Sequence, residues 1–281
     1  MQKIFIIFVI INFTITSLFT SDIKVCQSEK SKYQFRIELA NLILRKTSFE
    51  YGHAKVIPIF KKDPTQNRCI KLLKKNKVDL LYLPATNKRL KELNVIKIDI
   101  HNGMLGYRVF IINKKDEKKF SKIKSLKDLE KFTAGFGQHW GDYKIFSLNN
   151  LSVVGAANTD LLLKMLHKKR FDYFHRGLHE AWAEVEEHNN ELPNLMVEKH
   201  IALLYDFPVY FMFNKKNKIL KERFKKGFSI ILKDSSFKNL YEKSFNKYVK
   251  KANLQNRTIL RIKYPTPNNI PDIDTSLWLK K

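Results

Sequence analysis

Along most of the chain, short apolar runs alternate with stretches of helical period. Asp22–Cys26, Lys55–Phe60 and Val78–Leu83 read as strands. Between them, Lys32–Thr47 carries Phe35, Leu39, Leu42 and Ile43 at helical spacing, and Asn67–Lys77 reads as a basic-faced helix. This β-α-β-α-β order implies a parallel sheet with crossover helices. Pro84–Leu93 holds the turn-like Thr86 and Arg89. Val95–Ile100 and Gly106–Ile112 follow as strands, and the charged stretch Lys114–Lys131 reads as a surface loop with a short helix.

The alternation restarts at Phe132. An apolar strand is expected to enter a glycine turn at Gly135-Phe136-Gly137, with His139, Trp140 and Asp142 on the first turn of a helix. Backbone N–H groups converging there suit an anion. Leu151–Val154, a helix from Thr159, and a strand Phe171–Phe174 follow. The last is expected to deliver Arg176 into a loop at its carboxyl end, the edge where open α/β sheets bind ligands. Met196–Leu204 and the apolar Tyr205–Phe213 read as strands, and Ile219–Lys233 and Ser236–Val249 as amphipathic helices. Arg257–Lys281, with Pro265, Pro267, Pro271 and Trp278, reads as an irregular strap.

Two segments align without a gap. Lys71–Tyr82 (KLLKKNKVDLLY) and Lys164–His175 (KMLHKKRFDYFH) each run from a helix end through basic residues to an Asp and a strand. Asp79 and Asp172 fall in register, which favours a turn residue at strand entry over a ligand contact.

Composition adds three points. Met1–Ser21, one early Lys3 followed by an apolar run and small polar residues, has the layout of a secretory signal peptide. Its alternative is an uncleaved membrane anchor. Lys plus Arg number 53 against 27 acidic residues, a formal charge of +26. The lysines are scattered through every element and no nucleic-acid motif accompanies them, so no nucleic-acid partner is expected. Cys26 and Cys69 form one disulfide in an oxidising compartment, or remain two buried thiols.

In order, the segments KVDLLYLPATNKR at 77–89, GYRVFII at 106–112, SLKDLEKFTAGFG at 125–137, RFDYFHRGLHE at 170–180 and FPVYFMFNKKN at 207–217 carry a resemblance. The chain resembles the two-lobed (type II) periplasmic solute-binding proteins of amino-acid ABC transporters, over nearly their whole mature length. The resemblance implies an α/β fold of two lobes, each a mostly parallel sheet flanked by helices, joined by two crossover strands at Tyr107–Ile112 and Leu203–Phe213. The expected division is a signal peptide at 1–21, lobe 1 at 22–107 plus 205–281, and lobe 2 at 108–204. It further implies a monomer in the periplasm that closes on a small solute and presents it to a membrane transporter or a sensor receptor, without catalysis or cofactor.

The resemblance also assigns site residues. Thr86 and Arg89 match a Thr-x-x-Arg pair that takes an α-carboxylate, a task suited to the guanidinium fork. On the second lobe, where an acidic residue for an α-ammonium is expected soon after Asp172, this chain has His175, Arg176 and Gly177, with Glu180 later. An anionic ligand touching Arg89, Arg176 and the Gly137 turn is one reading. Arg176 paired with Asp142 or Glu180 is the other, with Glu180 still open to an ammonium. Trp140 and Tyr33 are candidate stacking walls, Arg108 a cleft or hinge residue beside Tyr107, and His139 a candidate by position, otherwise a capping or surface residue. His175 and His179 at i, i+4, beside Glu180, raise a zinc reading that lacks a third ligand. Neither a nucleophile elbow nor a nucleotide loop is present.

Overall fold

The computed structural model describes residues 22–27, 31–61, 63–265, 267, 270–271 and 275–279. The segment 1–21, read as a signal peptide, and part of the C-terminal strap lie outside them.

The first lobe opens with β1 (Ile23–Val25), α1 (Ser31–Lys46), β2 (Val56–Pro58), α2 (Gln66–Lys74), β3 (Leu81–Pro84), α3 (Asn87–Glu92) and β4 (Asn94–Ile96). β1 and β2 pair in parallel, and a bridge from Val25 to Leu80 joins them to β3. β11 (Val209–Phe213), arriving much later in the chain, lies antiparallel between β3 and β4. Of the helical stripe read in α1, Phe35, Leu39 and Ile43 are buried and Leu42 is half-buried, while Ala40 and Leu44 are buried beside them; the larger buried side chains contribute about 1.5–3 kcal/mol each. α1 packs on α6 (Lys218–Lys233), whose Phe224, Phe228 and Ile231 are buried. Cys26 and Cys69 are joined, Cα atoms 5.8 Å apart, tying the loop after β1 to α2.

The second sheet has seven strands: β5 (Tyr107–Asn113), β6 (Thr133–Gly137), β7 (Ser152–Ala156), β8 (Tyr173–Gly177), β9 (Leu195–Val197), β10 (Ile201–Leu204) and β12 (Thr258–Arg261). Their order is β12-β10-β5-β8-β6-β7, with β9 also on β5. α4 (Thr159–His167) precedes β8, α5 (Leu178–Glu187) follows it directly, and α7 (Ser236–Ala252) packs on both α1 and α5. The stretch expected as one strand, Met196–Leu204, is broken at Glu198–His200. The wholly buried Glu198 carboxylate turns inward there to accept from the N–H groups of His200 (2.7 Å) and Ile201 (2.8 Å). The strap reading of the tail is likewise corrected: Thr258–Arg261 pairs in parallel with β10, placing those residues in the second sheet instead of lobe 1.

Two chain segments pass between the sheets. β5 lies wholly in the second sheet. Leu203–Phe213 divides between β10 in the second and β11 in the first. The passages are therefore 97–106 and 205–208. They run against each other, with Tyr205 N–H donating to Gly106 O. A Cβ on Gly106 would fall 2.5 Å from Tyr205 O, so only glycine admits this approach. Asp99 ties the first passage to the start of β11, accepting from Val209 N–H (2.9 Å), and also accepts from Gly103 N–H (2.7 Å) within its own passage.

The internal repeat is structural. Asp79 accepts from Lys24 N–H (2.8 Å) and Asp172 from Thr133 N–H (2.7 Å), each carboxylate clamping the strand beside its own. The residues three before them, Asn76 and Lys169, share a positive φ of 53° and 54°. The strand-entry reading of both aspartates holds.

Candidate functional site

The carboxyl ends of β3, β6 and β8 and the start of β5 converge between the lobes. They enclose a cavity of about 110 Å³. From the first lobe come Gln27 after β1, Tyr33 and Arg36 on the first turns of α1, Gln66 at the start of α2, and Pro84. From the second come Arg108, Phe136, Trp140, Asp142, Arg176 and Glu180. Leu105 and Phe207 close it at the passages.

Of the residues expected at the site, Tyr33, Arg108, Trp140, Arg176 and Glu180 line this cavity; Thr86, Arg89, Gly137 and His139 do not. Thr86 is the N-cap of α3, its hydroxyl accepting from Arg89 N–H (3.2 Å). Arg89 is buried but turned aside: Nη1 donates to Pro84 O (2.7 Å) and Nη2 to Gln66 Oε1 (2.6 Å). Burial holds its pKa below the ordinary arginine value.

The glycine turn and its helix are corrected. Gly135 and Gly137 lie within β6, and the segment after it becomes helical only at Ile145–Leu148, so no helix N-terminus faces an anion at 139–142. Gly137 has a different task. A Cβ there would sit 2.3 Å from the Trp140 ring, which packs edge-on to Phe136 and roofs the strand end. His139 is exposed and meets only Gln138.

Arg176 is in β8, not in a loop beyond it. It is 5% exposed, and Glu184 grips it with both oxygens, at 2.8 Å to Nε and 2.5 Å to Nη2. Glu180 adds 3.3 Å to Nη1, and the guanidinium stacks over Trp140 and Phe174. Burial opposes the charge, yet Glu180 and Glu184 hold Arg176 above the ordinary arginine value. Of the two readings open for Arg176, the paired one describes its contacts.

Glu180 closes the first turn of α5 by accepting Gly177 N–H (2.9 Å). It is opposed by burial but lies below the ordinary glutamate range because Arg176, His179, Arg108 and Arg36 surround it. Arg108 is held loosely, 3.4 Å from Glu180 and 3.7 Å from Asp142, with its face over Phe207 and Tyr205. Its Nε has no partner among the described residues. Asp142, raised by burial, accepts from Tyr205 OH (2.9 Å).

The zinc reading is also corrected. His175 lies in β8 and His179 in α5, so they share no helix face. His175 is stacked on Phe136 at 4.5 Å and His179 on His101 at 5.6 Å. Among the described residues no cluster of three or more His, Cys, Asp or Glu side chains is placed to hold a metal.

Arg36 was not legible as a site residue. Its Nε donates to His101 Nε2 (2.9 Å) and Nη1 reaches Tyr82 O at 3.4 Å. No carboxylate among the described residues pairs with it. Burial first, and Arg108 among its neighbours, lower its pKa. The signal available was its place three residues after Tyr33, on one face of the first helix.

No protein-family model and no curated protein matches the sequence. Solved structures do. One is an ancestral arginine-binding protein bound to arginine, with 22% identity over 75% of this chain and 87% of that one and a TM-score of 0.57. Another is AbpA from Streptococcus pneumoniae, an amino acid ABC transporter substrate-binding protein bound to L-arginine, with 19% identity over 76% and 84% and a TM-score of 0.55. A third is a histidine kinase sensor domain with similarity to periplasmic binding proteins, with 15% identity over 75% and 85% and a TM-score of 0.56. At these identities the likeness is one of fold: the chain has the two-lobed α/β architecture of these proteins.

Proposed function

We propose that this chain is an exported, non-enzymatic solute-binding protein that closes its two lobes on a small polar solute, anionic or amino-acid-like, and presents it to a membrane transporter. The observation that carries the reading is the cavity between the lobes. Its lining brings three guanidinium groups, from Arg36, Arg108 and Arg176, against the two carboxylates of Asp142 and Glu180. Buried polar atoms there, Gln27 Oε1 and Arg108 Nε, have no partner among the described residues. Leaving such groups unpaired is costly, and a polar solute relieves the cost. Aromatic walls from Tyr33, Phe136, Trp140 and Phe207 supply the apolar remainder that small-solute sites need.

Export accords with the N-terminal layout and with the Cys26–Cys69 disulfide. Among the described residues no helix is long and apolar enough to cross a membrane. The passages 97–106 and 205–208, joined by the Tyr205 N–H bond to Gly106 O, are the hinge in this reading. A second reading, a sensory clamp acting on a receptor, is favoured by the likeness to a histidine kinase sensor domain.

The test is a thermal-shift screen of the chain from Asp22 onward against amino acids, organic acids, short peptides and polyamines. A bound solute raises the melting temperature at saturation. Absence of any stabilising solute would end the solute-binding reading; ligand-dependent binding to a receptor without uptake would select the sensory one.

A further inference from the structure

We propose that the solute's anionic group is a carboxylate held by Arg36 and Arg108, one from each lobe. This inference rests on the cavity being the binding site.

The four arginines around the cavity differ in how many donors remain. Arg176 spends its fork on Glu184 and its remaining side on Glu180. Arg89 spends both terminal nitrogens on short bonds to Pro84 O and Gln66 Oε1. The other two keep capacity. Arg36 has one strong bond, to a neutral histidine nitrogen, one stretched contact to a carbonyl, and no bond from Nη2 among the described residues. Because His101 Nε2 accepts from Arg36, this imidazole is neutral with its proton on Nδ1, and it adds no negative charge to offset the guanidinium. Arg108 has a buried Nε with no partner among the described residues, and its carboxylate contacts at 3.4 and 3.7 Å lie well outside charge-assisted range, roughly 2.7–2.9 Å. Both residues line the same cavity. Glu180 lies near both guanidinium groups, but it meets Arg108 only at 3.4 Å and makes no ion pair with Arg36 among the described residues, so it saturates neither.

The unfilled donors set the class. A carboxylate bridging Arg36 and Arg108 supplies acceptors for Arg36 Nη2 and Arg108 Nε, which lack them among the described residues. Gln27, whose buried amide oxygen meets no donor among the described residues, fits an N–H or O–H on the same solute.

The experiment titrates the chain with glycolate, lactate and succinate, each beside its fully amidated, uncharged counterpart, by calorimetry and thermal shift. Wild type, Arg36→Gln, Arg108→Lys and Arg89→Gln are compared. The expected result is binding of carboxylates and not amides. Arg36→Gln and Arg108→Lys each lose about tenfold or more in affinity, while Arg89→Gln stays within about threefold. Arg36→Gln strands no carboxylate, so its fold is expected to survive. In case a variant does not fold, the Nε–H resonances of wild-type Arg36 and Arg108 are followed by NMR, and they shift on saturation with the bound carboxylate. Carboxylate binding with Arg36→Gln unchanged and its resonance unmoved would overturn this inference and leave the solute-binding reading standing, as would binding of only amides or cations. No binding by any solute class would overturn both.

Discussion

Replacing Glu184 with glutamine keeps the shape of the side chain and removes one charge from the pair it makes with Arg176. The pair is buried, 5% exposed on the arginine and 7% on the glutamate, and made of two short bonds of 2.8 and 2.5 Å. Breaking such a pair by removing one partner costs about 3–5 kcal/mol, chiefly because the surviving charge is left without compensation. Here the surviving charge is not abandoned. Glu180 remains 3.3 Å from Nη1, and the faces of Trp140 and Phe174 lie 5.1 and 5.2 Å from the guanidinium carbon. The glutamine oxygen also keeps one acceptor. Those contacts retain about 1–2 kcal/mol, so the expected loss is about 2–3 kcal/mol. Urea unfolding of wild type and Glu184→Gln at neutral pH, followed by tryptophan fluorescence, measures it. A loss below about 0.5 kcal/mol, with the m-value unchanged, would mean that Glu180 alone satisfies Arg176 and that the two-carboxylate account of its raised pKa is wrong.

Two further outcomes follow from other parts of the molecule. Replacing Cys26 and Cys69 by serine opens a loop of 43 residues' separation, and the chain-entropy model puts the loss at about 4 kcal/mol. The urea midpoint with and without a reductant reads it, and a reductant-insensitive midpoint would count against the bond. His101 and His175 are held neutral well below the ordinary imidazole value, by burial first and by Arg36 and Arg108 next. As pH falls through about 6.5 the unfolded chain takes up protons that these folded histidines refuse, so each lowers stability, by up to about 1.4 kcal/mol per pH unit. His175→Gln is expected to flatten the stability slope between neutral and mildly acid pH; an unchanged slope would sink the assignment.

The fold was largely legible because its signals are local. The stripe of α1, the two long C-terminal helices and the strand runs of the first lobe each follow from spacing that burial then enforces. Legibility failed where a distant polar group decided the outcome. Glu198 reads as one more residue in an apolar strand, yet Arg257, nearly sixty residues on, donates to its backbone oxygen at 2.7 Å and sits 3.5 Å from its carboxylate at the break. The same holds for β12, whose pairing partner β10 is absent from its own neighbourhood in sequence. The glycine turn was misread for a different reason: glycine serves loop freedom and close packing equally, and only the Trp140 ring seated on Gly137 shows which is in force.

Arginines at the site carry this further. Sequence spacing identifies a guanidinium, but its availability depends on which acceptors other elements bring to it. Arg89 loses its fork to Gln66, twenty-three residues earlier on a different helix. Arg36, inside an unremarkable amphipathic helix, keeps its own because the group it meets is a neutral imidazole. Arg176 and Glu184 are eight residues apart, about 26 Å in a strand and about 12 Å in a helix. Neither spacing allows contact. They meet because β8 ends at Gly177 and α5 begins at once, folding the chain back so that the third and seventh residues beyond the strand both reach the arginine. That reversal ties Arg176 to two carboxylates of its own lobe, where spacing alone offered a cation at the mouth of a cleft.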